Sequence, residues 1–250
     1  MFGEPAGTVR LLDAEPSLAR GSDRQTLDRA RERLIAEVRR IESGAWEDAA
    51  EQPASPICLG YLILDGAFTR EIVLSNRPSI ELLGPGDLIR PWVVPTPLDA
   101  MNVTDSWTLL SPGQVAILDH QVAEQAKDFP SIITALMDRV VARSRWLGFH
   151  LAVCQLPRVD HRLLLTFRYA AERWGIEGVD GVKIPIRLNH RSLAALIGAR
   201  RPSITSAIGT LTEQGLIERS EDGTWTFFAA DADPMAILAG IDDGSAKIGI

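Results

Sequence analysis

The spacing of hydrophobic positions changes character along the chain, and each change marks a new element. Residues 23–42, DRQTLDRARERLIAEVRRIE, place Leu27, Leu34, Ile35, Val38 and Ile41 near helical spacing among arginines and glutamates. That predicts one surface helix with a single apolar stripe. From Ile57 to Leu118 the apolar runs shorten and end in turn residues. CLGYLIL precedes Asp65-Gly66, FTREIVL precedes Ser75-Asn76-Arg77-Pro78, and SIELL precedes Gly84-Pro85-Gly86-Asp87. SWTLL then leads to Ser111-Pro112-Gly113, and QVAIL follows. Short strands at this spacing predict an antiparallel sandwich or barrel. PWVVPTPLDAM (91–101) holds three prolines and is no central strand.

After Pro130 the helical period returns. Ile133, Met137, Val140, Ser144, Leu147, Leu151 and Cys154 recur at steps of three or four, widened by Ile132, Leu136 and Val141. Two readings of this long helix are open: burial against the β domain of its own chain, or the seam of a coiled-coil-like dimer. Leu156-Pro157 ends it, and a second helix is predicted over 158–174, stopping at Gly175. Residues 231–250 read as a loosely ordered acidic tail.

Residues 190–209, HRSLAALIGARRPSITSAIG, meet the requirements of a helix–turn–helix. Ala194 is the small residue for the helix crossing and Gly198 the turn residue that tolerates positive φ. Leu193, Ile197, Ala199, Ile204, Ala207 and Ile208 are apolar pins. Asn189 suits the N-cap of the first helix, and Pro202 suits the first turn of the second. Downstream, LTEQGLIERSEDGTWTF (211–227) predicts a helix end at Gly215 and two strands around the Asp222-Gly223 hairpin, which together make a wing. Upstream, VKIPIRL (182–188) supplies a strand to pair with it.

Charge sharpens this picture. The 250 residues carry 26 Lys/Arg and 33 Asp/Glu, a net −7, which excludes a surface that coats nucleic acid or anionic membrane throughout. The stretch 183–219, however, carries Lys183, Arg187, Arg191, Arg200, Arg201 and Arg219 against Glu213 and Glu218, a local +4. An acidic body with one basic stretch points to a module that meets phosphates on one face. The second helix then belongs in the major groove of double-stranded DNA. Arg201 is the best base reader, since its fork matches O6 and N7 of guanine. Pro202 and Ser203 lie beside it, with Thr205 and Ser206 facing the groove one turn on. His190, Arg191 and Arg200 are assigned to phosphates, as are Arg219 and Thr224 on the wing.

The order of a β-rich domain, a long helix and a winged helix resembles the Crp/Fnr family of bacterial transcription regulators. ELLGPGDLI (81–89) resembles the Gly-Asp turn of that family's cyclic-nucleotide-binding β-roll, and SLAALIGARRPSITSAIGTLTEQGLIE (192–218) resembles its helix–turn–helix. The resemblance covers about residues 55–228, with no specific match in the first 50 residues. It implies an α+β chain with an N-terminal antiparallel β-roll (a cyclic-nucleotide-binding-like jelly roll), a long dimerisation helix and a C-terminal winged helix–turn–helix. The corresponding ranges are 1–128 for an N-terminal helix plus β-roll sensor, 129–155 for the dimerisation helix, 156–230 for the DNA-binding domain and 231–250 for the acidic tail. It also implies a homodimer through helix 130–155 on a two-fold-symmetric operator, with RNA polymerase as a candidate further partner. In that family the positions matching Arg201, Pro202 and Ser206 contact bases. Pro202 replaces the usual acidic or polar second reader, so the operator should differ from the best-known one.

The sensor departs from the family pattern. Nucleotide-binding members follow the Gly-Asp turn with a Gly-Glu pair and an Arg-Ser-Ala-type segment. Residues 89–107 here have neither, and no arginine after Arg90. A cyclic phosphate needs a guanidinium or a nest of backbone N–H groups, which argues against cAMP or cGMP; the effector is open. Arg90, Trp92 and Trp107 mark a candidate pocket, where the two indoles either close over an apolar ligand or, as we favour, fill the roll. Cys58 and Cys154 are too few for a disulfide scaffold, a four-thiolate zinc site or an iron–sulfur cluster. His120 and His150 are the candidate haem ligands, but a lone histidine is commonly a packed or surface one, and no cofactor or metal is expected. A cupin-type enzyme needs converging histidines. His120, His150, His161 and His190 are scattered and lie outside the predicted strands, so no enzyme is expected. The other alternative is a degenerate regulator acting as a protein-interaction module, against which Arg200 and Arg201 speak. With no membrane-length apolar run and no signal-peptide pattern, a cytoplasmic protein is expected.

Overall fold

The computed structural model describes residues 4–21, 23–50, 57–92, 104–230 and 232–243. The chain divides into two compact units, residues 1–76 with 82–146, and residues 77–81 with 147–250. The first unit opens with strand β1 (Glu4–Arg10), helix α1 (Leu11–Ala14) and helix α2 (Arg24–Arg33), followed by β2 (Ile35–Ile41) and β3 (Gly44–Ala45). Then come β4 (Gly60–Asp65), β5 (Phe68–Leu74), β6 (Arg77–Leu83, of which 77–81 are grouped with the second unit), β7 (Leu88–Ile89), β8 (Thr104–Leu109) and β9 (Gly113–Leu118). They form two antiparallel sheets, ordered β1-β2-β9-β4-β7 and β3-β8-β5-β6. The five strand-forming runs of the sequence, CLGYLIL to QVAIL, all appear as strands. Their turns follow the local chemistry. Ser75 and Asn76 adopt φ of 51° and 60°, the left-handed pair that a two-residue hairpin needs. Gly66, at φ +90°, lets its strand end approach Gly113 so closely that a Cβ there would lie 2.7 Å from the Gly113 Cα.

Residues 23–42 are not one helix. Asp23 caps α2 by accepting from the Thr26 N–H at 3.0 Å, but the helix stops at Arg33 and the chain turns extended. In β2 the buried residues are Ala36, Val38 and Ile41, a largely alternating pattern. Pairing on both sides, with β1 and β9, satisfies its backbone groups, so tertiary partners override a spacing that also fits a helix.

Two apolar clusters fill this unit. One joins Leu11, Leu12, Leu18, Ala30 and Leu34 to Leu62, Leu118, Phe129, Ile132 and Leu136. A fully buried leucine contributes about 2 kcal/mol, so the N-terminal segment is part of the core and not an appendage. The other cluster is aromatic, with Trp46, Tyr61, Phe68, Trp92 and Trp107 around Leu83 and Val115. Helix α3 (His120–Ala126), which the sequence reading lacked, begins where Asp119 accepts from the Gln121 and Val122 N–H groups.

Helix α4 runs Pro130–Gln155. Along it Ile132, Leu136, Trp146 and Val153 are buried, while Met137, Val140, Val141, Leu147, Phe149 and Leu151 are exposed. Among the described residues the chain covers this apolar helix on one side only, an unusual thing to leave in water.

The second unit contains α5 (Val159–Trp174), β10 (Ile176–Glu177), β11 (Val182–Ile184), α6 (His190–Leu196), α7 (Arg201–Glu213), β12 (Ile217–Arg219), β13 (Trp225–Phe227) and α8 (Pro234–Asp243). The sheet order is β10-β11-β13-β12. Trp225 anchors the core; it is fully buried, meets Phe167 at 5.0 Å between ring centroids, and donates its indole N–H to the Leu188 carbonyl at 3.0 Å. The acidic tail is not wholly loose. In α8, Ile237, Leu238 and Ile241 are buried, and Arg168 of α5 holds the approach to it through the Ala232 carbonyl at 2.7 Å. The remainder of the tail, 244–250, lies outside the described residues.

Candidate nucleic-acid interface

The two helices α6 and α7 form as their sequence dictates. The Asn189 side chain accepts from the Ser192 N–H at 2.9 Å, capping α6. Gly198 takes φ +64° in the turn, and the next residue, Ala199, donates to the Ala194 carbonyl at 2.9 Å. Behind the turn, Arg162 of α5 donates to the Leu156 carbonyl at 2.7 Å and, at 3.4 Å, to that of Ile197. His150 Nε2 lies 2.7 Å from the Leu196 carbonyl and 3.7 Å from Cys154 Sγ. Burial holds the His150 imidazole below its ordinary pKa, against the opposing pull of that carbonyl. Burial likewise pushes the Cys154 thiol up, so it stays protonated.

Helix α7 has two unlike faces. Ile204, Ala207 and Leu211 are buried at steps of three and four. Arg201, Pro202, Thr205 and Ser206 are exposed on the other side, with Ser203 half-buried between them. Its N-cap, Arg200, supplies no side-chain acceptor, so the first-turn N–H groups and the positive end of the helix dipole face outward beside two guanidiniums. The Ser206 hydroxyl donates to the Pro202 carbonyl, and that of Thr205 to the Arg201 carbonyl, both at 3.3 Å. The Thr205 oxygen also lies 3.1 Å from His190 Nδ1, across the two helices.

Arg201 does not stand alone. It lines a cleft of about 400 Å³ together with Asn189, His190, Arg191 and Arg219, a wall with three guanidiniums and no carboxylate. Arg219 reaches the cleft from the wing, its guanidinium carbon 5.8 Å from the Trp225 ring centroid. Among the described residues, Arg191, Arg200, Arg201 and Arg219 form no ion pair. The structure thus brings five of the sequence candidates, Arg201, His190, Arg191, Arg219 and, at the mouth of α7, Arg200, to one side of the helix–turn–helix. Asn189 joins them, although the sequence reading gave it only a capping role.

Thr224 is placed otherwise. It is buried, and its hydroxyl donates to Asp222 at 2.5 Å while its N–H does so at 3.0 Å. These bonds, with Lys183 Nζ at 3.2 Å, hold the exposed Asp222 carboxyl down at about 2. Thr224 therefore shapes the wing hairpin, and Lys183 spends its charge within the protein.

In the first unit, Trp92 and Trp107 are both buried in the aromatic cluster. Trp92 meets Tyr61 at 5.2 Å, and Trp107 meets Trp46 at 6.5 Å. Arg90 is exposed with its guanidinium 5.0 Å from the Trp92 ring. Residues 93–103 lie outside the described residues. No group of three or more metal-ligating side chains occurs among the described residues, and no helix there is long and apolar enough to cross a membrane. The sequence reading missed one cluster altogether. Arg139 of α4 donates to the Gly86 carbonyl at 2.9 Å and to the Ser17 hydroxyl, and pairs with Glu15 at 3.0 Å.

Comparison with known proteins bears on both units. Residues 158–227 match the family model of a Crp-like helix–turn–helix domain. Among curated proteins, the chain is similar to the regulatory protein CysR of Synechococcus elongatus, 27% identical over 146 residues, 57% of this chain and 63% of that one. The chain thus spans less than two thirds of that relative's length. Among solved structures it is similar to a mutant of CooA from Carboxydothermus hydrogenoformans, with a TM-score of 0.58 at 14% identity over 97% of this chain and 98% of that one. It is also similar to a CRP/FNR-family transcriptional regulator from Thermus thermophilus, with a TM-score of 0.53 at 17% identity over 85% of this chain and 100% of that one. At these identities the structural likeness is one of fold.

Proposed function

We infer that this chain is a Crp/Fnr-type regulator, from the match of residues 158–227 to a Crp-like helix–turn–helix domain within a fold similar to that of a CRP/FNR-family regulator. It binds double-stranded DNA through α7, and it does so to regulate transcription. The observation that carries this reading is the exposed face of α7 beside a cleft lined by Arg191, Arg201 and Arg219 without a counter-charge. In the major groove, Arg201 reads guanine through its fork, flanked by Pro202, Ser203, Thr205 and Ser206. His190, Arg191, Arg200 and Arg219 meet phosphates and set the register. Thr224 leaves this set, since its hydroxyl is already bonded to Asp222.

The exposed stripe Met137, Val140, Leu147 and Leu151, with Ser144 in step, supports a dimer through α4. Two copies then read a two-fold-symmetric operator, which places the protein with the DNA in the cytoplasm. RNA polymerase is the candidate further partner. The aromatic packing of Trp92 and Trp107 supports a roll filled by its own side chains. The reading is of a binding protein rather than an enzyme.

The test is fluorescence anisotropy of labelled genomic fragments, the protein's own promoter among them, with wild type and Arg201→Ala over a salt series. Wild type should prefer some fragments, and Arg201→Ala should lose about 1–3 kcal/mol of that preference. Equal, weak binding of all fragments by both proteins would overturn the reading and favour a protein-interaction module.

A further inference from the structure

On the outward face of α7 the Thr205 hydroxyl is held from another helix, by His190 of α6. A hydroxyl has one proton to give and two lone pairs. A carbonyl only accepts, so the Thr205 proton goes to the Arg201 oxygen at 3.3 Å. With that proton on the Arg201 oxygen, Thr205 Oγ1 accepts from His190 Nδ1 at 3.1 Å in the tautomer that carries its hydrogen on Nδ1. Both bonds together occupy the donor and one lone pair. They also choose between the two rotamers that a helical threonine otherwise shares. What Thr205 presents to the groove without a prior partner is its methyl group, with one hydroxyl lone pair beside it.

We propose that Thr205 reads the 5-methyl group of thymine through its own methyl, and that His190 is the positioning residue that turns it there. The proposal rests on the DNA-binding reading above and sharpens it. Of the major-groove edges, only thymine offers a methyl, so the operator carries a thymine near the guanine read by Arg201. His190 thereby acts on sequence choice as well as on phosphates.

Full-length protein is used to enrich duplexes from a random pool. The enriched site is then rebuilt with deoxyuridine replacing each thymine in turn, which deletes the 5-methyl alone. Wild type should weaken about fourfold at one thymine position in each half-site, the worth of one buried methyl. Thr205→Val, which keeps the methyl, should keep that thymine-to-deoxyuridine ratio, and Thr205→Ser, which keeps the hydroxyl, should bring it to about one. His190→Ala should lower the ratio as well, an effect that loss of a phosphate contact alone would not produce. Thermal melts of each variant confirm folding. Tolerance of deoxyuridine at every position overturns the proposal, and so does a ratio kept by Thr205→Ser but lost by Thr205→Val. If no site is enriched, the DNA-binding reading itself fails, and the proposal with it.

Discussion

Counterions released from DNA count the cations that replace them, which makes Arg219→Ala a quantitative probe of the interface. Three arginines that form no ion pair among the described residues, Arg191, Arg200 and Arg219, are assigned to phosphates in each protomer. A dimer then neutralises about six phosphates, giving a slope of log K against log salt of about −5.4; Arg219→Ala removes two contacts and leaves about −3.6. Between roughly 0.05 and 0.2 M KCl, wild type should lose about 2000-fold in affinity and the variant only about 150-fold. The fold should survive, because Arg219 is exposed and its cation–π contact with Trp225 is worth about 0.5–1 kcal/mol. Thr224→Val is the control: it disturbs the hairpin bond to Asp222 and should leave the slope unchanged. Anisotropy titrations at four or five salt concentrations read both numbers. Parallel lines for Arg219→Ala and wild type would refute the placement of Arg219 on phosphate. A wild-type slope near half the expected value would refute the dimer.

The dimer has its own test: Leu147→Glu with Leu151→Glu puts charges on the exposed stripe of α4 and should give a 27.3 kDa species by light scattering, where wild type gives twice that mass. Retention of the larger species would remove α4 as the seam. Asp222 is held at about 2, below its ordinary 3.8, first by the Thr224 hydroxyl, so folding stability from this group is complete above about pH 4 and is lost as pH falls toward 2. Asp222→Asn should therefore flatten part of the acid dependence seen in urea melts at pH 5 and pH 2.5, and an unchanged difference would contradict the assignment. Gly66→Ala and Gly198→Ala both force a side chain into positive φ, at about 1–2 kcal/mol. Gly66→Ala should cost clearly more, because its Cβ meets the Gly113 backbone at 2.7 Å while that of Gly198 meets nothing within 4 Å. Equal melting temperatures for the two would count against that packing argument.

The winged helix was legible because its signals are local. Asn189 caps, Gly198 turns, Pro202 opens a helix and Asp222-Gly223 closes a hairpin, each within a few residues of the element it shapes. Residues 23–42 were not legible for the opposite reason. Their apolar positions suit a helix or a strand, and the choice is made by β1 and β9, the latter far along the chain. The tail helix α8 was hidden by acidic flanks around a short apolar core. At the candidate interface, residue types singled out Arg201 and its neighbours but gave no sign of the burial of Thr224. Its burial depends on how the hairpin folds back on Asp222, which no spacing rule contains.

The cluster around Arg139 bears on how such a chain is inherited and rebuilt. One guanidinium on α4 fastens the Gly86 turn of the β domain and the Glu15–Ser17 stretch near the N-terminus. Leu11, Leu12 and Leu18 are sealed beneath the same corner. A gene fusion that grafted this β domain onto another helix–turn–helix domain, with its front end cut at the first recognisable strand of the roll, would strip the arginine of its carboxylate and open a leucine-lined gap. The smallest exchangeable cassette is therefore longer than the recognisable roll. Recombination that respects it must carry the unfamiliar first residues along with the familiar ones.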